Sequence, residues 1–216
     1  MSKGRDGIRA LMSPRNVYRP TKAEQLPDTI EGMSMIKTIH DRYIKFPQDF
    51  EHCAVAIVQM MDGNFIDFDV TRPWRDGGRD AVGKYKIGTE DNYLTIDCAL
   101  EAKLFGSDNG VGVRQMSRLI SRIRYRQFGI FVTTSYIDGQ AFLEVKEDGH
   151  PIVMITGRDI VWILKSKKQI GADNIEGWLD TIDGEYYVDG DRSSWRSPLS
   201  KDLFPVARSD MSSDGS

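Results

Sequence analysis

The chain has 216 residues, a formal net charge of −3, 40% apolar residues and 28% charged ones. That suits one domain with a sizeable core, and no apolar run approaches the roughly 20 residues a membrane-spanning helix needs. The polar first ten residues do not read as a signal peptide, and two cysteines without CxxC spacing, Cys53 and Cys98, argue against a disulfide framework.

A reducing, cytoplasmic setting follows from that cysteine usage. His40, His52 and His150 are too scattered for a zinc site. Charge is spread unevenly. From Gln169 onward ten acids face four bases, a balance of −6, so residues 1–168 carry +3. Between Asn109 and Ile137 there are five arginines and no acid. A polyanion responds to such clustering more than to the whole-chain sum.

In chain order, residues 1–31 are rich in Lys, Arg, Pro and Gly without periodicity and read as a loosely ordered, solvated arm. A weak helix follows over 32–43, with Met33, Ile36, Ile39 and Tyr43 on one face. Residues 47–61 predict a firmer helix. Pro47 suits its first position, and Phe50, Ala54, Ile57, Val58 and Met61 form the apolar stripe. Asp62-Gly63-Asn64 stops it.

Residues 65–71 alternate and predict a strand, with Phe65, Asp67 and Asp69 on one face and Ile66, Phe68 and Val70 on the other. A second strand spans 79–87. The turn residues GTEDN lead into a third strand over 93–104, ending in Glu101-Ala102-Lys103. If the turn centres on Glu90, the antiparallel partner of residue n lies near 180 − n. Asp80 then faces Leu100 or Glu101. Alternation puts Glu101 and Lys103 on one face, and Leu94, Ile96, Cys98, Leu100 and Ala102 on the other. Two carboxylates and an ammonium therefore converge at the hairpin's end.

A polar, glycine-containing loop precedes a helix over 113–126 with Met116, Leu119, Ile120 and Ile123 buried. Gln115, Arg118 and Arg122 share an adjacent face, and Arg114, Arg124 and Arg126 add positive field. GIFVTT (129–134) and PIVMIT (151–156) read as buried strands. Helices are predicted over 140–148 and 157–167, the latter with Ile160, Val161 and Leu164 inward. The order gives an α/β protein with a mixed β-sheet flanked by helices. Three regions result: an arm and weak helix to residue 45, a core over 46–168, and an acidic extension over 169–216. The extension's aromatics argue for packing, and only 209–216 look disordered.

These residues resemble the catalytic domain of Mrr-type restriction endonucleases, within the PD-(D/E)xK nuclease superfamily. The resemblance rests on GGRD, the strand ending EAK, a helix carrying Gln115, then FVTTSYIDGQAF and ITGRDIVWIL, in that order. It covers roughly residues 47–164. It implies a restriction-endonuclease-like sheet and an Mg²⁺-dependent endonuclease, with Mn²⁺ able to substitute. Asp80 and Glu101 would bind the metal, Lys103 would position or activate the attacking water, and Gln115 would stand near the scissile phosphate. Glu51 would match a supporting acid, and Asp76 is a rival ligand. The first motif departs from the superfamily's name, with Gly78-Arg79-Asp80 in place of Pro-Asp.

Plainer readings stand beside these. An isolated ExK triplet is common, and a salt bridge at a strand end would account for it. Gly110-Val111-Gly112 before a helix suggests a dinucleotide loop, but Gln115 occupies the third glycine's place. The arginine helix offers phosphate contacts through Arg114, Arg118, Arg122 and Arg124, or simply a solvated face. Trp74 suits base stacking or packing. The acidic extension would cover the core, dock a partner or gate the site.

The function these readings support is cleavage of double-stranded DNA in restriction or anti-phage defence. Cutting both strands implies a homodimer or larger assembly, with specificity in another chain or elsewhere. The alternatives are an assembly or DNA-binding subunit of a defence complex and a junction-resolving or repair nuclease.

Overall fold

Three consecutive strands built from the patterned segments between residues 65 and 103 form the antiparallel half of one sheet. The computed structural model describes residues 18–70, 80–123, 127–188 and 191–195. Strand β1 (Phe65–Val70) pairs with β2 (Ala81–Gly88), and β2 pairs with β3 (Tyr93–Lys103), both antiparallel. Gly88 takes the turn at φ 132°, a conformation that L side chains rarely adopt. Beyond β3 the sheet becomes parallel. β3 pairs with β4 (Phe128–Thr133), and β4 with β5 (Ile152–Ile155), in the order β1-β2-β3-β4-β5. Parallel neighbours need long connections, and helices supply them.

Both faces are covered. Helices α2 (Ile30–Tyr43), α3 (Phe50–Met61), α6 (Gly157–Lys168) and α7 (Ile175–Tyr186) share one apolar cluster with Leu100, Ile130 and Ile155 of the sheet. Helices α4 (Val113–Arg122) and α5 (Gly139–Glu147) close the other face on Ala99 and Phe131. The mixed sheet flanked by helices is the architecture expected. Among the described residues no helix is long and apolar enough to cross a membrane.

Several expectations are corrected, each for a local reason. The described part of the arm, residues 18–31, is ordered. Thr21 and Glu24 form a capping box for the short α1 (Lys22–Gln25). Buried Gln25 then accepts from the Ile137 N–H and donates to the Ile137 carbonyl. A buried amide so satisfied holds the arm against the loop before α5. On α2 it is Met35, not Met33, that is buried, because the helix begins at Ile30 and its inward face is set by Met35, Ile36 and Ile39.

In β1 strict alternation fails. Asp67 adopts φ 53° and the register shifts between Ile66 and Asp69, so Phe65 and Phe68 are both buried. Such a bulge resets which side chains face inward. Phe68 then lies under Gly83, where a Cβ would sit 2.7 Å from its ring. At the outer end of the third strand Leu94 is exposed. β4 pairs only with Cys98–Lys103, leaving the outer part of the hairpin uncovered.

Helix α3 is preceded by a 3₁₀ turn over Pro47–Asp49 and starts at Phe50. Helix α4 ends at Arg122, and residues 124–126, including Arg124 and Arg126, lie outside the described part. β5 is an edge strand with Val153 exposed, not wholly buried.

After α6 the chain packs into the core. Ile170, Ile175, Leu179 and Ile182 are buried with the residues of α2 and α3. The acids of this segment find a base on α2. Arg42 lies 2.5 Å from Asp180 and 2.8 Å from Asp183, and the Tyr43 hydroxyl donates to Asp183. The last segment expected to be disordered, 209–216, lies outside the described residues.

Candidate active site

The hairpin register brings the acids together. Ala81 pairs with Leu100, so partners sum to 181 and Asp80, one residue before β2, faces Glu101. The Asp80 N–H donates to the Leu100 carbonyl at 3.2 Å, which extends the ladder to that point. The turn lies half a residue from the predicted centre, and of the two predicted partners for Asp80 this register selects Glu101.

Asp80 is 8% exposed and Glu101 wholly buried. Asp80 Oδ2 accepts the Ala102 N–H at 2.7 Å and Lys103 Nζ at 3.3 Å. Lys103 Nζ also donates to the Ala102 carbonyl at 2.9 Å and stands 3.4 Å from Glu101 Oε1. On the far side, Arg122 Nη1 donates to Glu101 Oε2 at 3.1 Å, and Arg118 Nε lies 3.8 Å from Oε1. Despite these cations, Glu101 Oε1 receives no hydrogen bond. A buried carboxylate oxygen without a donor carries a substantial desolvation cost. Burial accordingly pushes the Glu101 carboxyl above the usual carboxylate range, with Lys103 opposing and Asp80 adding to the shift.

Glu51, in the first turn of α3, belongs to the same electrostatic neighbourhood. Burial, and next the charge of Asp80, push its carboxyl up to about 8, against the pull of Lys103. Near neutral pH it therefore holds its proton. The amphipathic stripe of α3 explains the placement, since Phe50, Cys53, Ala54 and Ile57 dock the helix on the sheet.

Gln115 sits half-buried in the first turn of α4. Its side-chain carbonyl is 3.5 Å from where a Cβ on Gly112 would lie. Among the described residues it makes no hydrogen bond to Asp80, Glu101 or Lys103. Arg114 is exposed, while the Arg118 side chain is 49% exposed and that of Arg122 only 15%. Asp76, Arg124 and Trp74 lie outside the described residues.

The structure thus gathers Asp80, Glu101 and Lys103, with Glu51 within their electrostatic reach, and it adds a contact that sequence reading missed, Arg122 on Glu101. The signal was partly visible. Met116 and Leu119 fix the buried side of α4, so Arg118 and Arg122, one turn apart, point the same way. What they point at depends on how α4 docks over β3, which no local pattern encodes.

The donor set suits a hard divalent cation. Two acidic side chains and a backbone carbonyl meet here, with Glu101 Oε1 lacking a hydrogen-bond donor. Among the described residues no three His, Cys, Asp or Glu side chains cluster, so most ligands would be water. That pattern fits magnesium, which keeps several waters, better than zinc or calcium held by a protein cage.

A mixed sheet presenting two buried acids and a lysine at adjacent strand ends is an arrangement suited to metal-assisted hydrolysis. The particular family follows from comparison. Residues 46–164 match the Mrr catalytic-domain family, described as restriction endonuclease, and the chain belongs to that family. Among solved structures it is similar to the "DNA modification-dependent restriction endonuclease AspBHI", at 46% identity over 81% of this chain, with a TM-score of 0.72. It also shares the fold of the MspJI restriction endonuclease in complex with a 27-mer oligonucleotide, at 22% identity over 80% of this chain and a TM-score of 0.67. The chain spans 45% and 40% of those two proteins. No curated protein matches it.

Proposed function

We propose that this chain is the cutting domain of an Mg²⁺-dependent DNA endonuclease of restriction or anti-phage defence, acting in the cytoplasm on double-stranded DNA. The observation that supports the reading is the meeting of Asp80, Glu101 and Lys103 around Glu101 Oε1, which has ion-pair neighbours but no hydrogen-bond donor. Asp80 and Glu101 would hold the ion, with Mn²⁺ able to replace Mg²⁺. When bound, a divalent ion supplies Lewis-acid polarisation of the phosphoryl oxygen and neutralises charge on the leaving oxygen.

The chain's own groups do the rest. Lys103, anchored on Asp80 and the Ala102 carbonyl, holds the attacking water by its ammonium protons and offsets charge on the phosphorane. Glu51, its carboxyl pushed up by burial, adds no third negative charge beside Asp80 and Glu101 against the incoming phosphate. Gln115 stands at the phosphate side, and Arg114, Arg118 and Arg124 with the α4 surface offer backbone contacts that position DNA without reading it. Hydrolysis is by direct water attack, with no covalent enzyme intermediate.

Similarity to AspBHI supports a preference for modified DNA. Cutting both strands of a duplex takes two such sites, so a second reading stands beside the first: it works as a homodimer or as one subunit of a larger assembly that chooses the site. A cleavage panel tests both. Plain, methylated, nicked and branched duplexes are incubated with Mg²⁺, Mn²⁺ or EDTA, and the active species is sized by light scattering. Metal-dependent cutting that favours modified duplex is the expected result. Equal cutting in EDTA removes the metal reading, and a preference for branched DNA replaces restriction with junction processing.

A further inference from the structure

The arginine-bearing face of α4 divides into two kinds of residue. Arg114 is exposed, whereas the Arg122 side chain is 15% exposed and its guanidinium is engaged by Glu101 Oε2 at 3.1 Å. A phosphate contact needs an accessible guanidinium. A carboxylate that must hold a metal needs its second oxygen fixed, so that the first keeps one direction. Glu101 shows this division: Oε2 is bonded, and Oε1 is left without a hydrogen bond. Glu101 is also wholly buried on the α4 side of the sheet, where Ala99 and Phe131 pack, so no solvent competes for Oε2.

We propose that Arg122 is a positioning residue that clamps Glu101 Oε2 and aims Oε1 at the metal, and that it is not a phosphate contact. The proposal rests on the reading of Glu101 as a metal ligand. It also makes a prediction of sign. A cation near a metal site should repel the ion, so removing Arg122 would tighten metal binding if charge alone mattered. Loss of the clamp works in the opposite direction, because Glu101 becomes free to turn and loses the one hydrogen-bond donor it has among the described residues.

The test is calorimetric titration of the full chain with Mn²⁺ in the absence of DNA, alongside anisotropy of a labelled duplex in EDTA. Arg122→Gln is expected to weaken Mn²⁺ binding roughly 10–100-fold, the range for groups that orient a metal ligand, and to leave duplex affinity within about twofold. Arg122→Lys recovers part of the loss, since an ammonium restores one charge-assisted bond but not the planar fork. Arg114→Gln does the reverse, weakening the duplex and sparing Mn²⁺.

Mn²⁺ affinity that is unchanged or tighter in Arg122→Gln, while Glu101→Gln loses it, overturns the role of Arg122 alone. If Glu101→Gln also binds Mn²⁺ like the parent, the ligand assignment fails and the clamp with it. Should Arg122→Gln not fold, as shown by its thermal melt, Arg122→Lys decides. Weaker Mn²⁺ with an intact duplex affinity supports the clamp, and unchanged Mn²⁺ overturns it.

Discussion

Two clusters of carboxylates and guanidinium groups lie in this molecule, and they are built on opposite terms. The first joins α2 to α7, with Arg42 between Asp180 and Asp183 and a hydrogen bond from Tyr43 to Asp183. Its members are partly exposed and mutually partnered. The second joins β2, β3 and α4. There Glu101 is wholly buried among Lys103, Arg118 and Arg122, yet one of its oxygens has no donor. A satisfied cluster near the surface fastens one element to another. A buried, incompletely satisfied one costs stability, and proteins retain such sites where a ligand completes them.

Mutations should separate the two. Glu101→Gln removes the buried charge and one ligand, so cleavage should fall by more than the roughly 10–100-fold that loss of an outer-shell group costs a metal site, while the melting temperature holds or rises. A large loss of stability with activity retained would make this cluster structural. The apolar support of the first cluster is expected to show the largest folding effect. Leu179→Ala empties a fully buried position on α7, which typically costs about 2–5 kcal/mol. Denaturant midpoints measure it, and cleavage per folded molecule should be unchanged.

Arg42→Ala should cost only about 1 kcal/mol, as solvent-screened pairs do, with cleavage unaffected. Loss of cutting there would mean the two clusters are coupled.

The smallest effect concerns Glu51. In the native state its carboxyl keeps its proton to about pH 8, against an ordinary value of 4.5. Between those values the folded chain binds more protons than the unfolded one, so stability falls as pH rises through that window. Glu51→Gln should flatten this slope in melts recorded from pH 5 to 8. An unchanged slope would remove Glu51 from the site's electrostatics.

How much of this was legible beforehand depended on how local each feature is. The hairpin is a short-range object. GTEDN sets its turn, and counting outward brought Asp80 against Leu100 or Glu101 before any tertiary contact was known. The apolar stripes of α3 and α6 likewise gave their buried faces, since helical spacing and burial agree at Ile57, Val58, Ile160 and Leu164. Features set by packing between distant segments were hidden. The Asp67 bulge moved Phe65 inward, α1 clasped Ile137 through Gln25, and α7 completed the core. Arg122 is the clearest case. Its face on α4 was predictable, but its partner was not, because that depends on the docking of α4 across β3.

Asp80 and Lys103 are proposed to form a metal-dependent cutting site. Its most direct test is cleavage of modified plasmid with Mg²⁺ by the parent chain, Asp80→Ala and Lys103→Ala, each first shown to be folded by circular dichroism. Nicking and linearisation by the parent, abolished in EDTA and in both variants, is the predicted result. Cleavage that persists in both folded variants would contradict it.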